Sequence, residues 1–470
     1  VHSFPTRRSS DLFIAVTAGL QAVQPEIQAL GPDLKPLPAA SATFETGDFK
    51  LENAIEIVLR DNRTIHNAAL AVEKADGQVR QARSIAGMKL GANLTQTRLD
   101  EITSADFGGQ SVALSKLDNQ KIWFELSQPL FLGQKDRAAI KSSRLGRDIA
   151  GSAYTLTRQQ TILAASIGYY SWLYAREVED VGRMNLELAQ AHYDLVKKRF
   201  GAEQASKYEL LRAEVRLVQT QSAYLKDQND AQLARLELLK MLALPLETAL
   251  DTSCRLEAEI LKPDLESDLS QAEELREDLK IKRDEKRLAN QAVVAARGEK
   301  QPTVALFGQF GSEDPSSKSG FGSLERKSYW LAGVSVNLPV LDAGFSSGKV
   351  LEAKSGLKQS ETGYADSLEQ AQLEIRKAIL SLNTSEQIVN AQKENVKQAE
   401  ETMRLAKVRY ENGMFTQVDL FDAETAWSNA RLMYIQSVFL HHQARLSYLL
   451  ATGRLGRELI ADSSGERKSR

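Results

Sequence analysis

Residues 199–224, RFGAEQASKYELLRAEVRLVQTQSAY, return 210 positions later as residues 409–434, RYENGMFTQVDLFDAETAWSNARLMY. Arg409 answers Arg199, Thr416 answers Ser206, Asp419 answers Glu209, and Leu420 answers Leu210. Ala423-Glu424 and Tyr434 answer Ala213-Glu214 and Tyr224. The spacing holds without a gap back to Pro339 against Pro129 and forward to Leu449 against Leu239. An ungapped match of that length marks an internal duplication, so the fold must be built from two copies of one unit.

Each copied stretch reads as the tip of a long helical hairpin. Asn412-Gly413 breaks one helix, and Thr416 can cap the next by accepting a backbone N–H of its first turn. Asp419 and Asp422 fall in that turn, where carboxylates suit the positive helix end, and their spacing puts both on one face. Leu420, Ala423, Trp427, Ala430 and Tyr434 recur beside them as a packing stripe. In the first copy Glu203 stands where the second has Gly413, so Gly201 is expected to supply the turn there.

Composition narrows the class. Lys and Arg number 60 and Asp and Glu 62, and the net charge of −2 favours neither nucleic acid nor an acidic partner. Cys254 is the single cysteine, so neither an intramolecular disulfide nor a cysteine-based metal site is available. Eleven prolines, with long tracts of Ala, Leu, Gln, Glu and Lys, indicate a mainly α protein with a small β part. No run of about 18 apolar residues is present, so no transmembrane helix is expected; a β-barrel strand, with about ten alternating residues, escapes that criterion.

In chain order, residues 1–24 read as a signal remnant or artefactual N-terminus, and the prolines of 25–49 suit an extended segment. The first repeat spans 50–244: a helical region over 50–88, a β-hairpin over 90–128 and a helical hairpin over 130–243. Within that β-hairpin, 104–119 reads as a polar loop, and Pro129 ends the second strand. Gly133 to Phe200 contains no proline, enough for roughly 100 Å of helix or for several helices broken near Gly146, Gly151 and Gly168. A linker over 245–268 leads to the second repeat, 269–453. That repeat has a helix over 269–297, a β-hairpin over 302–338 and a helical hairpin over 340–452. Residues 454–470 form a charged tail.

Four strands cannot close a barrel, which needs about eight. Trp123, Phe124, Phe307, Phe310 and Trp330 suit a lipid interface. The residues leave two readings open, a sheet facing lipid and a small soluble sheet packed on the helices. In the first, other copies of the chain must pair the edges, because lipid satisfies no backbone N–H.

Together these features resemble the TolC family of outer-membrane efflux channels. The resemblance rests on SQPLFLGQ at 127–134 and VNLPVLDAG at 336–344, each opening a long helix, on the strand PTVALFGQFG at 302–311, and on the two tips. It covers about residues 50–453. It implies a duplicated unit of β-hairpin plus long α-helical hairpin, assembled as a homotrimer whose 12-stranded β-barrel continues into an α-helical barrel. The implied function is a passive export duct of the cell outer membrane, its barrel in outer-membrane lipid and its tunnel crossing the periplasm. The implied setting is a tripartite efflux or type I secretion system, with a periplasmic adaptor (membrane fusion) protein and an inner-membrane efflux pump or ABC exporter.

By the same resemblance, Asp419 and Asp422 match carboxylate rings at the periplasmic constriction. Threefold symmetry brings six carboxylates into a narrow throat, which favours cations and raises some of the pKa values. Without the resemblance, the two are equally carboxylates that satisfy a helix N-terminus. Tyr410 and Glu209 match a pair that holds the entrance closed. Phe415 stands where the family pattern has an Arg, with Tyr208 opposite, so an aromatic contact is expected in place of a polar latch. Adaptor docking falls to the tips, at Gly201, Ser206, Leu210, Asn412, Gly413 and Thr416.

No phosphate-cradling Gly-rich loop and no Gly-x-Ser-x-Gly elbow is present, so neither an enzyme nor a cofactor is expected. His2, His66, His192, His441 and His442 are expected as surface or tip residues, and the adjacent pair, facing different sides of a helix, makes a poor metal site. Two other classes compete. A periplasmic adaptor needs Gly-rich lipoyl-like and barrel halves around one hairpin, whereas this chain has two hairpins. A coiled-coil scaffold needs neither aromatic strand pairs nor an export signal.

Overall fold

The computed structural model describes residues 48–102, 104–113, 117–314 and 327–456. The signal remnant, most of the extended segment, most of the loop in the second β-hairpin and nearly all of the charged tail lie outside the described residues. The first repeat runs α1 (Leu51–Asp61), α2 (Arg63–Ser84), β1 (Lys89–Arg98), β2 (Ser104–Phe107), β3 (Gln110–Ala113), β4 (Asp118–Phe131), α3 (Lys135–Gly201) and α4 (Lys207–Met241). The second runs α5 (Leu265–Leu275), α6 (Glu277–Gly298), β5 (Thr303–Asp314), β6 (Lys327–Asn337), α7 (Phe345–Glu411) and α8 (Gln417–Ala451).

Equivalent helices have equal lengths of 11, 22, 67 and 35 residues. The duplication therefore reaches beyond the sequence match. The starts of α3 and α7 lie 210 positions apart, as do those of α4 and α8, whereas α1 and α5, and α2 and α6, lie 214 apart. The β-hairpins absorb the difference.

The glycines do not break α3, so each 67-residue helix extends about 100 Å. At Gly168 the side chains of Leu238 and Met241 close in on the helix instead. The shorter helices line up along the long ones, α2 and α4 against α3, and α6 and α8 against α7. The first helical region is two helices, not one. Asn62 interrupts it by accepting the N–H groups of Thr64 at 2.8 Å and Ile65 at 3.4 Å, which caps α2. In the second repeat the same break falls at Arg276, whose guanidinium lies 2.6 Å from Asp278 and 2.7 Å from Glu374. Helix also begins earlier there than expected, at Leu265, because Asp264 accepts from Glu266 and Ser267; the linker shortens accordingly.

The strands form one antiparallel sheet in the order β1-β4-β5-β6. The polar loop of the first hairpin is not wholly irregular: β2 and β3 pair across Gly108-Gly109, both of which have the positive φ that a tight hairpin turn requires. Nor does Pro129 end β4, which continues across a bulge to Phe131 because β5 lies alongside it.

Directly opposed residues share a face, and this separates the sheet by chemistry. One face carries Leu90, Ala92 and Leu94 of β1, Ile122, Phe124 and Leu126 of β4, Val304, Leu306 and Phe310 of β5, and Trp330, Val334 and Val336 of β6. It is not packed on the helices: Leu90 is 73%, Phe310 60% and Trp330 77% exposed. Phe124, Phe310 and Trp330 stand side by side across three strands. The other face carries Asn93, Thr95, Lys121, Glu125, Ser127, Gln309 and Ser335, with Lys121 paired to Glu313 at 3.2 Å. Trp123 and Phe307, grouped above with the lipid-facing aromatics, belong to this polar face. Gln128 and Ser312 are polar exceptions on the apolar face, but the prevailing alternation of an apolar and a polar side is the pattern of a membrane β-barrel wall.

Two consecutive left-handed residues redirect the chain from strand to long helix, Gly133-Gln134 in one repeat and Ala343-Gly344 in the other. A Cβ on Gly133 would lie 2.7 Å from the carbonyl oxygen of Gly298, so the end of α6 can seat against this turn only if no side chain intervenes.

The three described histidines of the long hairpins are buried; His192 lies near the tip, one of the two placements expected from sequence, whereas His441 and His442 are neither at the surface nor at a tip. His441 and His442 reach the linker backbone, their Nε2 atoms 3.0 Å from the Glu259 carbonyl oxygen and 2.8 Å from that of Glu257. His442 also stacks on Tyr170 with ring centroids 3.9 Å apart. Together with the Arg445–Glu259 pair at 2.8 Å, they strap the linker to the middle of the helical layer.

Candidate functional site at the hairpin tips

Each long helix ends in a Schellman turn. The N–H of Met414 donates to the carbonyl of Arg409 and that of Gly413 to Tyr410; in the first repeat Gln204 donates to Arg199 and Glu203 to Phe200. The left-handed position is Gly413, with φ 73°, in one tip and Glu203, with φ 62°, in the other. Gly201 therefore does not supply the first turn; it is the last residue of α3, and Glu203 carries the strain itself. Because a non-glycine residue costs about 1–2 kcal/mol there, Glu203→Gly should stabilise the first tip by about 1 kcal/mol after the added freedom of the unfolded chain is counted. A raised midpoint of chemical unfolding checks this.

The return helices open with reciprocal caps. Thr416 donates from its N–H (2.8 Å) and its hydroxyl (2.7 Å) to Asp419 Oδ2, while its hydroxyl oxygen accepts the N–H of Asp419. Ser206 and Glu209 repeat the arrangement at 2.7 and 2.9 Å. Hydrogen bonds from the Thr416 hydroxyl, then its backbone N–H, hold the Asp419 carboxyl below the usual carboxylate range. The Ser206 backbone and hydroxyl do the same for Glu209. Within one chain Asp419 thus shifts downward, opposite to the rise expected for crowded like charges, because its nearest neighbours are donors. Asp419 and Asp422 are both exposed and line one groove of about 450 Å³, between Arg409 and Phe415 at the turn and Thr402 and Ala426 further along. The packing stripe lies beside them as expected, with Leu420, Ala423, Trp427 and Ala430 buried.

Tyr410 is buried against Ala406, Leu420 and Ala423, with Phe415 packed onto the same cluster. Burial pushes its phenol up, and the guanidinium of Arg199, 5.2 Å from the ring centroid, opposes that shift. Glu209 is near enough to act electrostatically on Tyr410, but its carboxylate is engaged in its own cap. Phe415 faces Arg409, at 5.1 Å, and Tyr208 is 70% exposed. No ring contact joins Phe415 to Tyr208 among the described residues of a single chain. Of the docking candidates, Gly201, Ser206, Asn412, Gly413 and Thr416 are exposed and Leu210 is half-buried.

The seam between the two hairpins holds residues that sequence reading passed over. His192 of α3 lies 3.0 Å from the side-chain amide of Gln417 and edge-on to Phe421 of α8, at 4.9 Å. Burial first, and Arg199 second, lower its pKa to about 4. Asn185 donates to Ser428 at 2.7 Å, and Arg216 to Thr425 at 3.1 Å. Glu424, one residue past the stripe alanine, is raised by burial, with Arg216 and Lys407 opposing. The polar member of an otherwise apolar helix face was the available signal for Gln417 and Glu424. Among the described residues no cluster of His, Cys, Asp and Glu is suited to hold a metal ion, and no helix is long and apolar enough to cross a membrane.

Comparison with known proteins places this geometry. The family model described as outer membrane efflux protein matches residues 54–244 and 269–453, the two repeats. The toluene efflux pump outer membrane protein TtgC of Pseudomonas putida is 24% identical over 426 residues, covering 84% of this chain and 82% of that protein. The outer membrane protein OprJ of Pseudomonas aeruginosa is 22% identical over 424 residues, covering 89% and 87%. Among solved structures, the Campylobacter jejuni CmeC outer membrane channel superposes with a TM-score of 0.75 at 19% identity, covering 93% of this chain and 97% of that one.

Proposed function

The chain belongs to the outer membrane efflux protein family and is an outer-membrane protein, and from that premise we propose that it is the passive outer-membrane duct of a tripartite export system. Three copies pool their four strands into a 12-stranded barrel, and their helices form a tunnel reaching into the periplasm. The observation that carries this reading is the sheet, which has one predominantly apolar, exposed face and two open edges. Such a sheet is stable in lipid only when further strands pair its edges. Helices of about 100 Å supply the length for the tunnel. The exposed tips are the docking surface for a periplasmic adaptor and an inner-membrane pump. Insertion of the purified protein into planar bilayers should give discrete conductance steps. A preparation that stays monomeric in detergent and inserts without conductance would overturn the proposal.

In this duct Asp419 and Asp422 form the charged throat. The groove that both line favours this role, while the Thr416 cap shows that Asp419 also secures its helix. Asparagine keeps an acceptor for Thr416 and removes the charge. Asp419→Asn with Asp422→Asn should therefore preserve the fold and bring the cation-to-anion permeability ratio toward unity. An unchanged ratio in single-channel recordings would remove the throat from these residues.

A further inference from the structure

The sheet ends in two edge strands, β1 and β6, each paired on one side only within the chain, and the duplication indicates what lies against their outer edges. Inside the chain, β4, the last strand of the first repeat, pairs with β5, the first strand of the second. Moving β4 forward by 210 positions lands on β6, and moving β5 back by 214 lands on β1. The two hairpins obey the same shifts: Leu126 opposes Leu90 in the first, and Val336 opposes Val304 in the second. We propose that successive copies join through β6 of one and β1 of the next, in the register that β4 and β5 already use. This rests on the homotrimer reading and adds which residues meet. The internal pairs Leu126–Gly308, Ser127–Phe307, Pro129–Ala305 and Phe131–Val304 become Val336–Leu94, Asn337–Asn93, Pro339–Gly91 and Leu341–Leu90 between copies.

Three independent features support that register. First, β4 runs to Phe131 because β5 accompanies it, whereas β6 stops at Asn337 and leaves Val340 and Leu341 89% and 92% exposed. These are the counterparts of Leu130 and Phe131, and the register gives Leu341 a partner strand. Second, sidedness is kept: Val336 meets Leu94 on the apolar face, and Ser335 meets Thr95 on the polar one. A slip of one residue reverses that match along the whole seam. Third, the register brings the equivalent helices together. Lys135 at the start of α3 pairs with Glu299 at the end of α6, 3.1 Å apart. The same shifts map these two onto Phe345 and Ile85, both exposed in the single chain. The join between copies therefore replaces an ion pair with an apolar contact and leaves no unpaired charge.

Engineered disulfides test the register. In a Cys254→Ser background, Ser335→Cys with Thr95→Cys and, separately, Val336→Cys with Leu94→Cys place the cysteines on opposite edges of one sheet. Three strand spacings, roughly 14 Å, prevent a bond within a chain. Neighbouring antiparallel pairs alternate between close and wide spacing, so one of the two variants has the close geometry. On oxidation it should run at three times the monomer mass on a denaturing non-reducing gel and return to monomer with reductant. Ser335→Cys with Asn93→Cys, displaced by two residues, should give little of that band. If the displaced pair links better than both inherited pairs, or none links in material that is trimeric by native mass, the register is wrong and the homotrimer stands. If wild type and all variants are monomeric, the homotrimer reading fails and the register with it.

Discussion

Val334→Arg should leave almost no assembled protein in the outer membrane, while Ser335→Arg, one residue along the same strand, should assemble nearly as well as wild type. Val334 lies midway along the apolar face of β6, opposite Leu306, and Ser335 points to the polar face. A guanidinium at the bilayer midplane costs about 2–4 kcal/mol, and a threefold assembly multiplies this to roughly 6–12 kcal/mol. That is comparable with the whole stability of an ordinary domain. On the polar face the same group, opposite Ala305, projects into water and leaves the lipid contact untouched. The heat-modifiable oligomer band from isolated outer membranes reads both outcomes. Equal assembly of the two variants would mean that neither face meets lipid, and the reverse order would exchange inside for outside.

The contrast shows where the sequence was legible and where it was not. The alternation of Ile122, Phe124 and Leu126 with Trp123, Glu125 and Ser127 is a local property, so a period of two revealed the strands. That alternation already set Trp123 with Glu125 and Ser127, against its grouping with the lipid-facing aromatics, but it did not reveal that Phe307 shares their face, because that depends on the register between distant segments. Strand ends failed for a related reason: Pro129 lies at a bulge and past Ser127, the last residue that β1 pairs with, so its missing N–H is tolerated on what is locally an edge. The tips were legible because caps are short-range, and Ser206 and Thr416 each cap the helix that follows. The breaks at Asn62 and Arg276 were missed, the second because it is held by Glu374 and the carbonyl of Ala451, far along the chain. Two of the histidines were misplaced for the same cause. His441 and His442 look like exposed helix positions until the linker, more than 180 residues earlier, is laid across them.

Those buried histidines lead to the other large expected effect, a loss of stability in mild acid. His192 sits in the seam at the tip, facing Gln417, Tyr410, Phe421 and Arg199. His442 sits under the linker, facing Tyr170, His441, Arg445 and the Glu257 carbonyl. Burial is the main cause in both cases, and each pKa falls from 6.5 to about 4. A histidine with a depressed folded pKa binds fewer protons folded than unfolded between those two values. Its contribution is therefore fully present above pH 6.5 and is lost as pH falls toward about 4. The loss is about 3 kcal/mol for each group. Asp419 and Glu209, whose pKa values are lowered, give way only below the ordinary carboxylate range. Glu424, raised by burial, offsets part of the loss, because its protonation favours the folded form. Chemical unfolding followed at pH 7.5, 6.0 and 4.5 should show the midpoint falling steeply. His192→Gln with His442→Gln should flatten that slope even if it lowers stability at neutral pH, since glutamine keeps a donor and does not titrate. A slope unchanged by both substitutions would assign the acid sensitivity to the carboxylates. The two histidines bridge separate elements, His192 joining hairpin to hairpin and His442 joining linker to helix. Acid should therefore loosen the tip seam and the linker strap before it reaches the barrel, and hydrogen exchange at pH 5 should show α8 protected less than α3.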